Sequence, residues 1–332
     1  MKWKHLASLA ICSLMISSCS RPTDTQENTD AAGIILQGTS SSSIAIAYWQ
    51  WFSQLAVNNN INGDLQVMGS GESMSRFLSG KIDFAGTDTA PTSNEFQRAK
   101  RGMLAFPVTA RAIAIAYNYP GCKLQITRQQ LADIFLGKIR DFGELGCNRK
   151  QIQVLHRGLP SGTTATFTAT LSAFSPSWRH GPGTGLQVNW PTGIPVADSE
   201  AMIRTLRETP GSLGYVEAAY VGKPLSTAAL ASRSGVFLQP TSRETARAVN
   251  TIKLDERLLG QNPDPEMGYP IVSLAWVLIP IQPEPTKGEA LRISVNYMLS
   301  QSGQDDAERL GYAPLPEVIL MRSKQQINKI QL

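Results

Sequence analysis

Histidine is almost missing from this chain. Its 332 residues include three, His5, His156 and His180, and none stands with Asp, Glu or another His at metal-ligand spacing. That argues against a histidine-built metal centre. Cysteine is nearly as scarce, with four residues, two of them inside the first twenty. The apolar run Leu6–Ile16 is too short to span a bilayer permanently. No block of Lys or Arg lines one helix and no aromatic residues interleave with a basic stripe, so the formal charge of +5 does not point to nucleic acid. No fixed-period repeat or heptad pattern is present, which excludes a solenoid or a coiled coil.

What is there reads as an exported globular protein. Hydrophobic residues make up 42% and charged residues 17%, the balance of a folded chain rather than a disordered one. The length suits two lobes, each with its own core. Residues 1–18 read as a signal peptide: Lys2 and Lys4 at the start, the apolar run, then Ile16-Ser17-Ser18 before Cys19. A small-small-Cys end resembles a bacterial lipobox, which implies cleavage before Cys19 and a lipid on its thiol. Removing Lys2 and Lys4 lowers the formal charge by two. Residues 19–32 are polar and aperiodic, a flexible tether reaching on the order of 20 Å. Cys122 and Cys147 then remain. In an oxidising compartment they can pair or stay as two buried thiols, and their spacing alone decides neither.

From Gly33 onward short apolar runs alternate with helical periodicities, the pattern of an α/β fold. Strands are expected at Gly33–Leu36, Leu65–Met68, Ile82–Ala85, Ala112–Tyr117, Ile152–His156 and Val272–Ile279. Three times a strand is followed by glycine and hydroxyl residues and then a helix: Gly38-Thr39-Ser40-Ser41-Ser42-Ser43, Gly69-Ser70-Gly71 and Ser161-Gly162-Thr163-Thr164. The first turn of a helix has N–H groups without intrahelical acceptors, and the helix dipole adds positive potential there. Glycine permits close approach and hydroxyls add donors, so three such ends meeting at one point would cradle an anion. Each loop alone reads more often as an ordinary N-cap. Asp88 follows one apolar strand and Arg157 ends another, where ligand clefts of α/β sheets lie. A guanidinium fork suits a tetrahedral oxyanion.

These residues sit in longer segments that resemble the periplasmic phosphate-binding proteins of ABC importers. The similar stretches include GTSSSSIAIAYWQWF, GSGESMSRFLSGKIDFAGTD, LADIFLGKIRDF, HRGLPSGTTATFTATLSAF, VNWPTG, TPGSLGYVEAAY and LGYAPLP. They follow the family's order from Gly33 to about Ile327. The resemblance implies a type II periplasmic-binding-protein fold: two α/β lobes joined by a hinge, with the ligand in the cleft. The first lobe is expected to comprise 33–108 and 270–332, the second 109–269. Carried over by motif, phosphate would contact Ser42, Ser43 (through its backbone N–H), Ser70 and Asp88 from one lobe. Arg157, Ser161, Gly162 and Thr163 would come from the other. Leu159 and Pro160 stand where the family has Asp-Gly, so the usual carboxylate partner of Arg157 is missing. The implied partners are inorganic phosphate, permease and ATPase subunits of an importer, and a membrane reached through the lipid on Cys19. The expected state is an exported, lipid-anchored monomer without metal or cofactor, in the periplasm or at the cell surface.

Other functions remain to be weighed. The fold suits a receptor for another oxyanion, or a phosphate sensor or buffer, as well. A secreted phosphatase would need Ser161, His156 and Asp88 as nucleophile, base and orienting group. Ser161 lies in Pro-Ser-Gly rather than in a Gly-x-Ser-x-Gly elbow, and neighbouring strand residues such as His156 and Arg157 point to opposite faces.

Overall fold

A computed structural model describes residues Gly33–Leu332. The expected signal and tether, with Cys19, lie outside the described residues. The chain opens with β1 (Ile34–Ser41), α1 (Ala45–Asn59), β2 (Ile61–Met68), α2 (Ser70–Leu78), β3 (Phe84–Thr87) and α3 (Ser93–Arg98). A long strand β4 (Leu104–Tyr117) leads to β5 (Gln125–Ile126), α4 (Arg128–Phe135), β6 (Gln153–Arg157), α5 (Gly162–Phe174) and α6 (Pro176–His180). Then come β7 (Ile194–Val196), α7 (Ser199–Glu208), β8 (Ser212–Glu217), β9 (Ser226–Thr227), β10 (Ala229–Ala231), β11 (Phe237–Leu238) and α8 (Ser242–Val249). The chain ends with β12 (Val272–Ile279), α9 (Gly288–Met298), α10 (Gln301–Arg309) and α11 (Glu317–Ile327).

The main sheet has the order β2-β1-β3-β12-β4-β8-β6-β7, with β9 also pairing β4, while β11, β10 and β5 form a small separate sheet. Strands β1, β2 and β3 run parallel, as do β6, β7 and β8. Each set is built from strand–helix–strand units, whose helices cover the sheet. The two sets are joined by β12, which pairs with β3, and next to it by β4. Its Leu104 to Ala112 pair antiparallel with β12, and its Ile113 to Tyr117 pair antiparallel with β8.

Strand β2 begins at Ile61 rather than Leu65, and β3 runs over Phe84–Thr87 rather than Ile82–Ala85; two further expectations change more. Strand β4 begins at Leu104 rather than Ala112, because Pro107, Thr109 and Arg111 interrupt its apolar pattern. Thr109 faces Ala275 and Pro107 faces Trp276, leaving Val108 as the extra residue of a bulge, a place where a strand tolerates proline. Gly38 to Ser41, expected as loop, continue β1. They are flanked by β2 and β3, with Gly38 to Ser40 paired to Phe84 to Gly86 and Ser41 paired to Met68. Paired backbone groups on both sides outweigh the weak strand preference of glycine and serine. Glycine is required at position 38: a Cβ there would lie 2.2 Å from the Phe84 ring.

Aromatic side chains fix the two long helices that carry the site. Tyr48 and Phe52 of α1 lie 5.9 and 5.0 Å, centroid to centroid, from Phe84 of β3. Phe167 of α5 stacks on Tyr215 of β8 at 4.3 Å. Each buried ring contributes roughly 1.5–3 kcal/mol, and together they set the height of each helix over its sheet. Cys122 and Cys147 form a disulfide, with Cα atoms 5.6 Å apart. Among the described residues no helix is long and apolar enough to cross a membrane, and no group of three His, Cys, Asp or Glu could hold a metal ion.

Candidate anion-binding site

The ends of β1, β3, β6 and β8 bring the polar loops to one buried cluster. Its centre is Asp88, 2% exposed, one residue past β3. Ser70, the first residue of α2, donates its hydroxyl to Asp88 Oδ1. Ser43 donates to Oδ2 at 2.7 Å and accepts from Ser41 at 2.8 Å. The resemblance gave Ser43 a role through its backbone; its side chain is engaged as well. Burial pushes the Asp88 carboxyl up, but Arg111, the Ser70 and Ser43 hydroxyls and Arg157 together outweigh burial and hold it below the usual carboxylate value.

From the other set of strands comes the start of α5. Ser161 occupies the N-cap position, but its hydroxyl makes no capping bond. Gly162 lies so close to Asp88 that a Cβ would sit 1.7 Å from Oδ1. Thr163 has one hydroxyl proton; it reaches Glu217 Oε1 at 2.6 Å, while Asp88 Oδ2 is 3.4 Å away. Ser42 reaches the same carboxylate through a relay. Ser199 donates to Glu217 Oε2 at 3.1 Å, so Ser42 donates to Ser199 at 3.2 Å. Tyr220 and Tyr312 donate to the carbonyls of Ser42 and Ser43.

The three helices that open on this cluster, α1, α2 and α5, have no side-chain cap. Helices α3, α4, α6, α7, α8 and α10 have one, from Thr92, Thr127, Ser175, Asp198, Thr241 and Ser300, while α9 and α11 also lack one. At the site the Ser43, Ser70 and Thr163 hydroxyls donate to carboxylates instead. The first-turn N–H groups of α1, α2 and α5 keep the donor character of a helix start.

Arg157 is 5% exposed. With Leu159 and Pro160 in the following turn, its partner is a main-chain oxygen: Nε donates to Ala197 O at 3.1 Å. Nη1 is buried with no hydrogen-bond partner. Ala197 O is a neutral acceptor, so the cation keeps its charge for the cluster, close enough to Asp88 to help hold it ionised.

Sequence reasoning missed Arg111, Glu217, Ser199 and Tyr220. Arg111 lies in the middle of β4, 1% exposed, bonded through Nη1 to Glu217 Oε1 at 2.5 Å and lying 3.3 Å through Nη2 from Asp88 Oδ2. A lone arginine inside an otherwise apolar strand was the available signal, since such a residue is rarely buried without a partner. Glu217 stands in the recognised stretch TPGSLGYVEAAY, but its role becomes visible only through Arg111 and Thr163. The serine, histidine and aspartate of the phosphatase alternative do not form a chain. The His156 ring stacks on Trp190 at 4.8 Å and its Nδ1 pairs with Arg157 O at 3.1 Å. Burial lowers its pKa, so the ring is neutral near pH 7.

The geometry is that of an oxyanion cradle with its own acceptors. Hydroxyls from both sets of strands converge on two carboxylates, and an unpaired guanidinium nitrogen and three helix starts stand beside them. Such a site can bind an anion that brings its own proton to a carboxylate, by exchanging partners with the hydroxyls.

The chain is similar to known proteins over most of its length. The PBP superfamily domain matches residues 21–301. The phosphate-binding protein PstS of Xylella fastidiosa is 30% identical over 308 residues, covering 87% of this chain and 83% of that protein. PstS of Haemophilus influenzae is 29% identical over 300 residues, covering 84% and 88%. Among solved structures, a phosphate-binding protein from Stenotrophomonas maltophilia superposes with a TM-score of 0.71 at 19% identity, covering 88% of this chain and 93% of that one. A protein from Clostridium perfringens, solved with bound phosphate, gives 0.66 at 15%, covering 85% and 100%. Those structures share the fold, the type II periplasmic-binding-protein fold expected from the sequence. With the superfamily domain spanning most of its length and PstS relatives aligned across more than four-fifths of it, the chain belongs to the PstS phosphate-binding proteins of the PBP superfamily.

Proposed function

We propose that this protein is the receptor of a phosphate importer, binding hydrogen phosphate at the cluster around Asp88 and performing no chemistry on it. The observation that carries this reading is the Arg157 guanidinium, which is 5% exposed with Nη1 lacking any acceptor. A buried cationic donor left unpaired is unfavourable, and a phosphate oxygen would complete it. Ser42, Ser43, Ser70, Ser161, Gly162 and Thr163 supply the remaining contacts in this proposal. Residues 33–108 with 270–332 form one lobe and 109–269 the other, with β4 crossing between them. Phosphate that touches both lobes binds the closed form best and shifts the hinge equilibrium toward it. The closed receptor is then what permease and ATPase subunits recognise.

Asp88 makes the site selective. An ionised carboxylate only accepts hydrogen bonds, and phosphate near neutral pH still has a proton to donate. Sulfate has none, so its oxygen would face Asp88 lone pair to lone pair. Competitive titration is expected to show phosphate and arsenate bound and sulfate rejected by orders of magnitude. Asp88→Asn should narrow the gap by about 1–3 kcal/mol, because an amide can donate to sulfate. Tight sulfate binding by the wild type would defeat the phosphate assignment; an unchanged ratio in the variant would defeat only the role given to Asp88.

Export and a lipid on Cys19 complete the proposal and rest on the first nineteen residues of the sequence. Cys19→Ala should move the protein out of the membrane fraction or leave it unprocessed. Normal processing with full membrane retention would refute lipidation.

A further inference from the structure

Arg111 is not among the residues that the three loops contribute, yet it is a cation paired with both carboxylates of the cluster. It sits on β4 where pairing passes from β12, last at Ala112, to β8, first at Ile113. Its guanidinium joins a carboxylate from each set of parallel strands: Asp88, just past β3, and Glu217, the last residue of β8. Nη2 also donates to the Asp88 main-chain carbonyl at 3.4 Å. We propose that Arg111 is a positioning residue that sets discrimination among oxyanions, by clamping Asp88 and Glu217 so that Asp88 meets the ligand as an acceptor only. This rests on the oxyanion reading above and deepens it.

The physical case is one of charge balance in a buried place. Four charged side chains share the cluster: Asp88 and Glu217, Arg111 and Arg157. Burial drives Asp88 toward its protonated form, and Arg111 is the largest opposing influence, ahead of Ser70, Ser43 and Arg157. Without Arg111, Asp88 and Glu217 would share only Thr163, whose hydroxyl lies 2.6 Å from one and 3.4 Å from the other. Two carboxylates that close in a low-dielectric site do not both stay ionised easily. A protonated Asp88 can donate to sulfate, and the basis of rejection is lost. The other titratable groups facing the cluster include the Tyr215, Tyr220 and Tyr312 hydroxyls, all pushed well above their ordinary value by burial and neutral throughout the physiological range.

The test is competitive titration with phosphate and sulfate from pH 5 to 8, on wild type, Arg111→Lys and Arg111→Met. Phosphate itself titrates in this range, so the quantity read is the variant's selectivity profile relative to that of the wild type. Arg111→Met is expected to lose phosphate-over-sulfate preference increasingly toward the acid end, about tenfold for each unit by which the freed carboxyl comes to titrate above the working pH. Arg111→Lys should restore most of it. If Arg111→Met does not fold, Arg111→Met combined with Glu217→Gln removes one charge of each sign and keeps the interior balanced; a loss of discrimination is again expected. A common fall in both affinities with an unchanged profile would mean a purely structural role and overturn the proposal, as would wild-type discrimination in the double variant. Wild-type protein that ignores phosphate would overturn the oxyanion reading itself, and this inference with it.

Discussion

Arg157→Ala is expected to weaken phosphate binding by about 2–5 kcal/mol, the range for truncating one member of a buried charge pair. The upper part of that range applies because the guanidinium is 5% exposed and water cannot replace it. It is held in place by one bond, Nε to Ala197 O, and by the strand that carries it. Its own backbone N–H donates to the Tyr215 hydroxyl at 3.1 Å. Removing the side chain would leave Asp88 and the ligand, both anionic, with Arg111 as the remaining cation, and Arg111 is already engaged by Glu217. The fold should survive, since Nη1 makes no hydrogen bond to lose. Isothermal titration at neutral pH, beside a thermal melt to confirm folding, measures the effect. Wild-type affinity in a folded Arg157→Ala protein would remove Arg157 from the site.

Gly162→Ala tests a different requirement, the close approach of α5 to Asp88. A methyl group at this position would lie 1.7 Å from Oδ1, 2.4 Å from Cγ and 3.0 Å from Oδ2. Asp88 cannot swing aside freely, because Ser43, Ser70 and Arg111 all hold its carboxylate. The helix must then stand off, and with it the donors of its first turn. Overpacking of this kind costs about 1–3 kcal/mol, and here it falls on the arrangement that binds the anion. Phosphate affinity is expected to drop at least tenfold, with a smaller loss of thermal stability. A Gly162→Ala protein that binds as wild type would show that the contact between α5 and Asp88 is not part of the bound form.

Much of the fold could be read from local pattern. The strand Val272–Ile279 has its expected ends, and the helix expected after Ser43 begins at Ala45. Where the reading failed, a long-range partner decided the outcome. Gly38 to Ser41 have the composition of a loop and become strand because β2 and β3 lie on either side. Pro107, Thr109 and Arg111 conceal the first half of β4, whose 14 residues are all buried. The absence of the usual aspartate after Arg157 left that arginine's partner open, and the partner proves to be the neutral carbonyl of Ala197, 40 residues away.

The sequence by itself determined the properties that depend on neighbours a few residues apart. These are the signal-like start with its small-small-Cys end, the alternation of strands and helices, and the hydroxyl and glycine residues placed at helix starts. Asp88 and Arg157 at strand ends belong with them. Helix starts and strand periodicity repeat over two to four residues, so a single sequence displays them. Only the tertiary structure decided which charges meet. Arg111 and Glu217 are 106 positions apart and Ser42 and Ser199 157 apart, and Cys122 finds Cys147 across 25. A buried charge must be paired whatever the separation along the chain, and the partner is chosen by how the sheet is ordered in space, which local pattern does not encode.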